Sequence, residues 1–266
     1  MKKVNCKEIT AAAPGGAALE RALKYASQGV ETALFADTPA GILSCPAGIR
    51  RIYFGCEFDE RNIPSARKAA AAIEASAGRK LKFTLATPIM TDAGTARLKR
   101  LLRALSEYAP FEAVANDFGA IAIIRDAGLI PVAGRLLIKQ KSDPRLAALK
   151  SPRLRNYFKK SAADNAEFAA LLRDLGIKRV ELDNPLCGLA PPAGFSVSLY
   201  YPFVFMTLSM RQTESEHDGA VYFLKNKAFP VDIILSGAAQ FYMNQELKAL
   251  KAGGVNRLVI QPLPPR

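Results

Sequence analysis

Short apolar runs alternate along this chain with longer stretches in which apolar residues recur at helical spacing. The runs lack a strict alternation of apolar and polar residues, which is typical of parallel strands that are buried on both faces. They predict strands at residues 8–12, 52–54, 81–85, 111–115, 130–133, 179–182, 196–200, 233–235 and 258–260.

The stretches between these runs predict amphipathic helices, because their apolar residues repeat at i, i+3, i+4 and i+7. The clearest stripes are Phe168, Leu171, Leu172 and Leu175, and Leu98, Leu101, Leu102 and Leu105. Glycine follows several of the stretches, at positions 29, 78, 128, 176 and 253. Glycine is expected there because helices often end in a residue with left-handed backbone geometry.

Strands that alternate with helices, without a break in composition, predict one α/β domain over residues 1–266. A chain of this length suits a parallel (β/α)8 TIM-type barrel, and an open, doubly wound sheet is the alternative. Because the pattern offers one strand too many for eight places, we assign residues 233–235 to an insertion before the last strand.

Residues 30–48 depart from this rhythm. They contain Pro39, Gly41, Pro46 and Gly48 and are long for a plain connection between a helix and a strand. They predict a flap or small hairpin at the N-terminal end of the barrel.

Composition narrows the class of protein. Half of the residues are apolar, but no apolar run reaches the length of about 18 residues that a membrane span requires. The first residues are basic and lack the apolar core of a signal peptide. Four irregularly spaced cysteines, Cys6, Cys45, Cys56 and Cys187, suit reduced thiols. We therefore expect a cytoplasmic protein that does not span a membrane.

The net charge of +13 is concentrated between residues 135 and 160. Nine basic residues lie there and only Asp143 opposes them, while Tyr157 and Phe158 lie among them. Basic residues mixed with aromatic ones suit phosphate contact and base stacking. The candidate nucleic-acid-binding residues are Lys139, Lys141, Arg153, Arg155 and Lys159. The alternative is a solvated helical connection that keeps the protein soluble.

Polar residues follow several predicted strands, and barrels of this type carry their sites at the C-terminal ends of the strands. The candidate catalytic residues are Glu57, Asp117 and Glu181, and the candidate substrate-binding residues are Asn116, Arg135, Asp183, Asn184 and Tyr200. Crowded carboxyl groups acquire different pKa values, as acid–base catalysis needs. Arg135 could clamp a small anionic substrate with two hydrogen bonds. Alternatively, Asp117 and Asn184 merely cap the helices or loops that follow them.

Familiar catalytic motifs are absent from the sequence. It has no GxGxxG motif after a strand, no phosphate-binding P-loop and no HExxH motif. His217 is its only histidine and lies in a charged stretch that resembles an exposed loop. We therefore expect no metal site, since zinc needs several converging Cys or His ligands.

Five segments together resemble the peptidase U-32 superfamily of collagenase-like peptidases. They are residues 8–15 (EITAAAPG), 52–55 (IYFG), 115–119 (ANDFG), 132–137 (VAGRLL) and 180–183 (VELD). The superfamily also includes proteins of anaerobic ubiquinone biosynthesis and of RNA hydroxylation, and this chain is most similar to the short, single-domain subunits of the ubiquinone hydroxylation system. The resemblance implies an α/β barrel.

The resemblance also implies a [4Fe–4S] cluster held by four cysteines, one after the second strand and three after the seventh. Cys56 matches the first of these, but residues 203–230 contain no cysteine. The remaining cysteines cannot substitute, because the predicted barrel places Cys6 and Cys45 at the opposite end from Cys56 and Cys187, roughly 17–20 Å away. A cluster needs its thiolates around one centre. We therefore expect no iron–sulfur cluster and no other cofactor.

Three hypotheses for function follow. The first is a cluster-less barrel that acts in a hydroxylation or modification system through the polar strand ends. The second is a non-catalytic subunit that binds RNA or a protein, for example a homologous barrel subunit. The third is a peptidase, which we rank last because the sequence supplies neither a nucleophile–base pair nor a metal site.

Overall fold

Eight parallel strands form a closed barrel in the computed structural model, which describes residues 2–4, 15–209, 221–251 and 253–265. The barrel order is β13 (Val255–Ile260), β2 (Glu31–Ala36), β3 (Arg51–Gly55), β4 (Lys82–Ala86), β5 (Glu112–Ala115), β6 (Ile130–Ala133), β7 (Arg179–Leu182) and β8 (Ser196–Tyr201). This confirms the predicted (β/α)8 fold. The predicted strand at 8–12, Cys6 and His217 lie outside the described residues.

Helices cover the outside of the barrel. They are α1 (Gly15–Leu23), α2 (Pro39–Leu43), α3 (Ala66–Gly78), α4 (Asp92–Ala104), α5 (Phe118–Asp126), α6 (Arg135–Ile138), α7 (Pro152–Phe158), α8 (Ala166–Asp174) and α9 (Lys248–Lys251). Short 3₁₀ turns occupy Ala26–Gln28, Glu60–Asn62, Ser106–Tyr108, Pro144–Ala148 and Ala162–Asp164. The predicted stripe on α4 is buried in the main core, whereas Leu171 on α8 is largely exposed and only its neighbour Leu172 is fully buried.

The flap predicted at residues 30–48 is wrong, because this segment is the first strand–helix unit of the barrel. Strand β2 pairs in parallel with β13 on one side and with β3 on the other. Pro39 and Gly41, which suggested a turn, belong to α2: Pro39 occupies its first turn, where proline is tolerated, and the Thr38 side chain accepts a hydrogen bond from the Gly41 amide.

The predicted insertion before the last strand is confirmed and supplies four strands of a five-stranded antiparallel sheet, which the strand Lys2–Val4 completes. Its order is β1 (Lys2–Val4), β10 (Val221–Leu224), β11 (Ile233–Ser236), β12 (Ala239–Met243) and β9 (Phe203–Leu208). Only Pro202 separates β8 from β9, so the chain passes directly from the C-terminal end of a barrel strand into the sheet. The sheet therefore lies at the end of the barrel where strand ends carry function.

None of the helices within the described ranges combines the length and apolar character needed to cross a bilayer.

Candidate functional site

Arg135 lies at the centre of the polar residues at the strand ends. It follows β6 directly after Gly134, where a side chain on residue 134 would collide with Asn116 and Val114. Its guanidinium binds the Glu57 carboxylate in bidentate fashion, with Nε–Oε1 and Nη2–Oε2 distances of 3.0 and 2.9 Å. The Nη1–Oδ1 distance to Asp183 is 2.8 Å. Arg135, which we expected to bind a substrate anion, therefore binds two carboxylates of the protein itself.

The electrostatics of this triad follow from its burial. Burial raises the pKa of both Glu57 and Asp183, and the positive charge of Arg135 opposes that rise. Burial disfavours the charged guanidinium too, but the two carboxylates outweigh this and raise the pKa of Arg135. A buried ion pair of this kind depends on all of its members, because removing one leaves the others charged and unpaired.

Aromatic rings enclose the guanidinium. Its carbon atom lies 4.0 Å from the centre of the Tyr200 ring, 5.2 Å from that of Phe58 and 5.9 Å from that of Phe241. Such contacts stabilise a desolvated cation. Arg135 is only 2% exposed, so its charge is withdrawn from solvent.

Glu181 lies deeper in the barrel and accepts hydrogen bonds from two tyrosines. The Tyr53 and Tyr200 hydroxyls lie 2.8 Å from its Oε1 and Oε2 atoms, respectively. No ion pair to Glu181 occurs within the residues that the structure describes. Burial, reinforced by the charge of Glu57, raises the pKa of Glu181 to about 7. Burial and Glu181 raise the pKa of both tyrosines, which therefore remain neutral donors.

A second ionic cluster fills the opposite, N-terminal end of the barrel, and the sequence interpretation missed it. Arg257 binds Glu31 through Nε at 2.6 Å and Glu112 through Nη1 and Nη2 at 2.6 and 3.0 Å. Arg51 adds an ion pair to Glu31 at 3.1 Å. Burial alone would raise the pKa of both glutamates, but the arginines outweigh it and lower them. The Arg257 Nη1 atom also donates to the Tyr53 hydroxyl at 2.9 Å, which links this cluster to Glu181.

Apolar side chains close the C-terminal mouth of the barrel. Phe58, from the loop after β3, and Leu136, from helix α6 after β6, pack against Phe203 and Phe241 of the sheet. The ring centres of Phe58 and Phe241 lie 5.2 Å apart. The candidate residues at the mouth are consequently at most 3% exposed, apart from Asp117. The strand ends therefore meet in a sealed core and not in an open cleft.

Asp117 has a structural role, as the alternative interpretation of the sequence expected. It caps α5, with the Ala120 amide donating to Oδ1 at 2.7 Å, and its Oδ2 atom accepts from the Met90 amide at 3.1 Å. It makes no hydrogen bond to Arg135 or Glu181 among the described contacts.

The two predicted amides also bind the backbone. Asn116 donates to the Thr87 carbonyl at 2.7 Å and accepts from the Leu136 amide at 3.1 Å. Asn184 donates to the Glu246 carbonyl at 2.6 Å. Both side chains thus hold loops at the mouth in place.

The described cysteines do not form a common site. Cys45, Cys56 and Cys187 are all buried free thiols. Cys56 donates to the Asp59 carbonyl at 3.1 Å, and burial, followed by Asp59, raises its pKa. In the described ranges, no three His, Cys, Asp or Glu side chains are grouped so that they could hold a metal ion. The residues present therefore do not fit a four-cysteine cluster, and the absence of a cluster stays a prediction.

The basic segment, residues 139–160, lies between β6 and β7 on the outside of the molecule. It contains eight basic residues, and Asp143 is its only acid. Lys139, Lys141, Arg153 and Arg155 are exposed and Lys159 is half-buried. Among the described ion pairs, only Arg145 of this segment has a carboxylate partner, Asp143. Most of its positive charge thus faces solvent without neutralisation.

Helix α7 in this segment carries two different faces. Residues four apart lie on one face of a helix, so Arg153 and Tyr157 share one face, and Arg155 and Lys159 share another. Tyr157 is 66% exposed, an unusual state for a large aromatic ring. The first face therefore presents a cation and an open ring side by side.

Comparisons with known proteins give no family by sequence: no family model matches the chain, and neither does any curated protein. Among solved structures, the U32 peptidase Mk0906 is similar at 10% identity, over 89% of this chain and 94% of its own, with a TM-score of 0.48. Its name is that of the family which the five sequence segments resemble.

Two further solved structures are similar at lower TM-scores. A mandelate racemase/muconate lactonizing protein from Herpetosiphon aurantiacus is 11% identical over 64% of this chain and 47% of its own, with a TM-score of 0.35. The L-talarate dehydratase from Polaromonas sp. JS666 is 11% identical over 88% of this chain and 65% of its own, with a TM-score of 0.36. We transfer no activity or residue role from any of these proteins.

Proposed function

We propose that this U32-like barrel is a non-catalytic RNA-binding subunit whose contact surface is the basic segment. The observation that carries the proposal is the exposed face of α7, where Arg153 and Tyr157 lie one helical turn apart. An arginine contacts phosphate while a neighbouring ring stacks on a base, and together these contacts bind single strands with little sequence preference.

The charge balance of the segment supports RNA as the ligand. Its cations are Lys139, Lys141, Arg145, Lys150, Arg153, Arg155, Lys159 and Lys160. Eight cations facing one acid repel one another, and a polyanion that approaches them releases counterions and relieves this repulsion. A surface that served only for solubility would mix both signs of charge.

The sealed mouth supports a non-catalytic role. Catalysis needs a reacting atom within reach of the acid and base groups, but Phe58 and the sheet cover Glu57, Glu181 and Arg135. The charged groups there already bind one another. The binding surface on α7, in contrast, is accessible without any rearrangement.

The experiment compares two triple variants in an RNA-binding assay. Lys141→Ala, Arg153→Ala and Arg155→Ala together remove three unpaired cations from the basic segment. Lys139 is retained because its backbone is left-handed, with φ at 48°, and a substitution there could disturb the fold. The control removes three exposed cations from α4, by Lys99→Ala, Arg100→Ala and Arg103→Ala.

We expect the segment variant to lose affinity for a single-stranded oligonucleotide and the control to lose much less. If all three cations contact phosphates, the slope of log K against log salt should fall in magnitude by roughly 2, at about 0.7 per contact. Equal losses in both variants, or no binding by the wild type even at low salt, would contradict the proposal.

A second candidate function, action in a hydroxylation or modification system, rests on a different observation. Two buried amide atoms at the mouth, Gln261 Oε1 and Gln140 Nε2, have no hydrogen-bond partner among the described residues. Their other amide atoms contact Glu57 and Asp183. Buried polar atoms without partners mark places where a small polar molecule could bind.

The charges around Arg135 favour a neutral substrate for this candidate, since the guanidinium already has two carboxylate partners. The test is a thermal-shift screen of small neutral polar compounds. A compound that raises Tm for the wild type but not for Gln261→Leu would support the candidate. A screen without such a compound would leave RNA binding as the better-supported function.

A further inference from the structure

A cavity of about 340 Å³ lies between α7 and the loop that follows β7. This volume is at the lower end of the range for small-ligand pockets, roughly 300–1,000 Å³. Arg155, Asn156 and Lys159 contribute one side of it, and Leu186 and Cys187 contribute the other. The cavity is separate from the sealed mouth and from the exposed face formed by Arg153 and Tyr157.

The polar side of the cavity is built for an anion. Arg155 and Lys159 are four residues apart, so both point from one face of α7, and no acidic residue lines the cavity. Neither residue has an ion-pair partner among the described contacts. A guanidinium binds two phosphate oxygens at once, and an ammonium adds a compact point charge. The Asn156 amide, between them in the sequence, can both donate and accept hydrogen bonds.

The opposite side of the cavity is apolar and is held in place. The Leu186 amide donates to the Tyr242 hydroxyl at 3.1 Å, which ties the loop to the sheet. The Ala190 amide donates to the Lys159 carbonyl at 2.9 Å, which ties the loop to the end of α7. Leu186 and Cys187 thus form a fixed surface against which a flat apolar group can pack.

We propose that this cavity binds a 5′-phosphorylated nucleotide, with the phosphate between Arg155 and Lys159 and the base against Leu186. A terminal phosphate carries about −1.5 to −2 charges at neutral pH, compared with about −1 for a phosphate within a strand. Two cations in a concave site therefore favour a chain end or a free nucleotide over the middle of a strand. That the nucleotide is the 5′ end of a bound RNA rests on the function proposed above.

The test uses two double variants of the full chain. Arg155→Gln with Lys159→Gln removes the cations of the cavity and keeps hydrogen-bonding side chains. Lys141→Gln with Arg153→Gln removes the same charge from the basic segment outside the cavity. AMP binding is measured by calorimetry, with adenosine as the control ligand.

We expect the wild type to bind AMP but not adenosine. The cavity variant should lose AMP affinity on the order of 100-fold, the combined effect of two charge-assisted hydrogen bonds. The matched variant should keep most of the AMP affinity. In the same proteins, a 5′-phosphorylated oligonucleotide should bind more tightly than its 5′-hydroxyl counterpart, and only the cavity variant should lose this preference.

The other outcomes separate this inference from the proposed function. If RNA binds equally with either 5′ end and AMP does not bind, the cavity proposal is overturned while RNA binding stands. If AMP binds through the cavity and RNA does not bind, the cavity is a site for free nucleotides and the RNA proposal is overturned. If AMP binding survives in the cavity variant, the nucleotide is held elsewhere and the cavity proposal is overturned.

Discussion

Glu181→Gln should gain stability relative to the wild type as the pH rises from acidic to neutral. In the native protein this carboxyl lies fully buried between the Tyr53 and Tyr200 hydroxyls, without a cation within ion-pair distance among the described residues. Burial raises its pKa from 4.5 to about 7, and the charge of Glu57 adds to the rise. The fold therefore prefers Glu181 in its neutral form, which glutamine imitates.

The sign and size of the effect follow from proton linkage. Below pH 4.5 Glu181 is protonated in both the folded and the unfolded chain, so it adds no pH dependence. Between pH 4.5 and about 7 the unfolded chain loses this proton while the folded chain keeps it, so the contribution of Glu181 to stability falls as pH rises. The whole rise in pKa corresponds to about 3 kcal/mol. Above pH 7 the contribution is constant.

The assay is urea denaturation of the wild type and Glu181→Gln at closely spaced pH values from 4.5 to 8. The difference in the free energy of unfolding should shift in favour of the variant by about 3 kcal/mol across this range. A change in hydrogen bonding to the tyrosines would add a constant difference in the free energy of unfolding, which the measurement at the lowest pH gives. Glu107→Gln, on the exposed surface, is the control and should run parallel to the wild type. A difference between wild type and Glu181→Gln that stays level across the range would refute the reasoning.

Three further predictions test the residues at the strand ends. Arg135→Met should lower the free energy of unfolding by roughly 3–5 kcal/mol, because Glu57 and Asp183 stay buried without a counter-charge; a loss below about 1 kcal/mol in urea denaturation would contradict this. Asp117→Ala should lower the free energy of unfolding by about 1 kcal/mol, because the helix loses its N-terminal cap, and it should leave RNA affinity unchanged. A large fall in RNA affinity would show instead that Asp117 takes part in binding. Cys56 should resist alkylation in the native protein and react after unfolding, as site-resolved mass spectrometry can show; rapid native labelling would count against its burial.

The barrel could be predicted from the sequence because the period of the hydrophobic pattern is a local signal. Strand β2 was not predicted, because Glu31 and two alanines weaken its apolar character and Pro39 follows three residues after its end, at the start of the next helix. Glu31 points into the barrel, where Arg51 and Arg257 balance its charge. Those partners come from distant parts of the chain, so their pairing is invisible in any local window.

The candidate site was predicted in part for the same reason. Position after a strand is a local property, and it correctly brought Glu57, Arg135 and Asp183 together. Whether the place where they meet is open depends on Phe58 and Phe241, which lie far apart in the sequence and meet only in the folded chain. The sealing of the mouth therefore could not be inferred from the residues at the strand ends.

The polar interior of this barrel bears on where a ligand could bind. From Arg257 at one end, through Tyr53 and Glu181, to Arg135 at the other, nearly every charged group has a protein partner at hydrogen-bond distance. A group that already has its partner gains little from a ligand, because binding must first break the existing contact and leave a buried charge unpaired. Within the described ranges the cations of α7 have no carboxylate partners, so the same physical cost does not oppose their binding to phosphate. For this reason we expect a phosphate-bearing ligand to bind at the basic segment and not at the strand ends, where barrels of this type usually carry their sites.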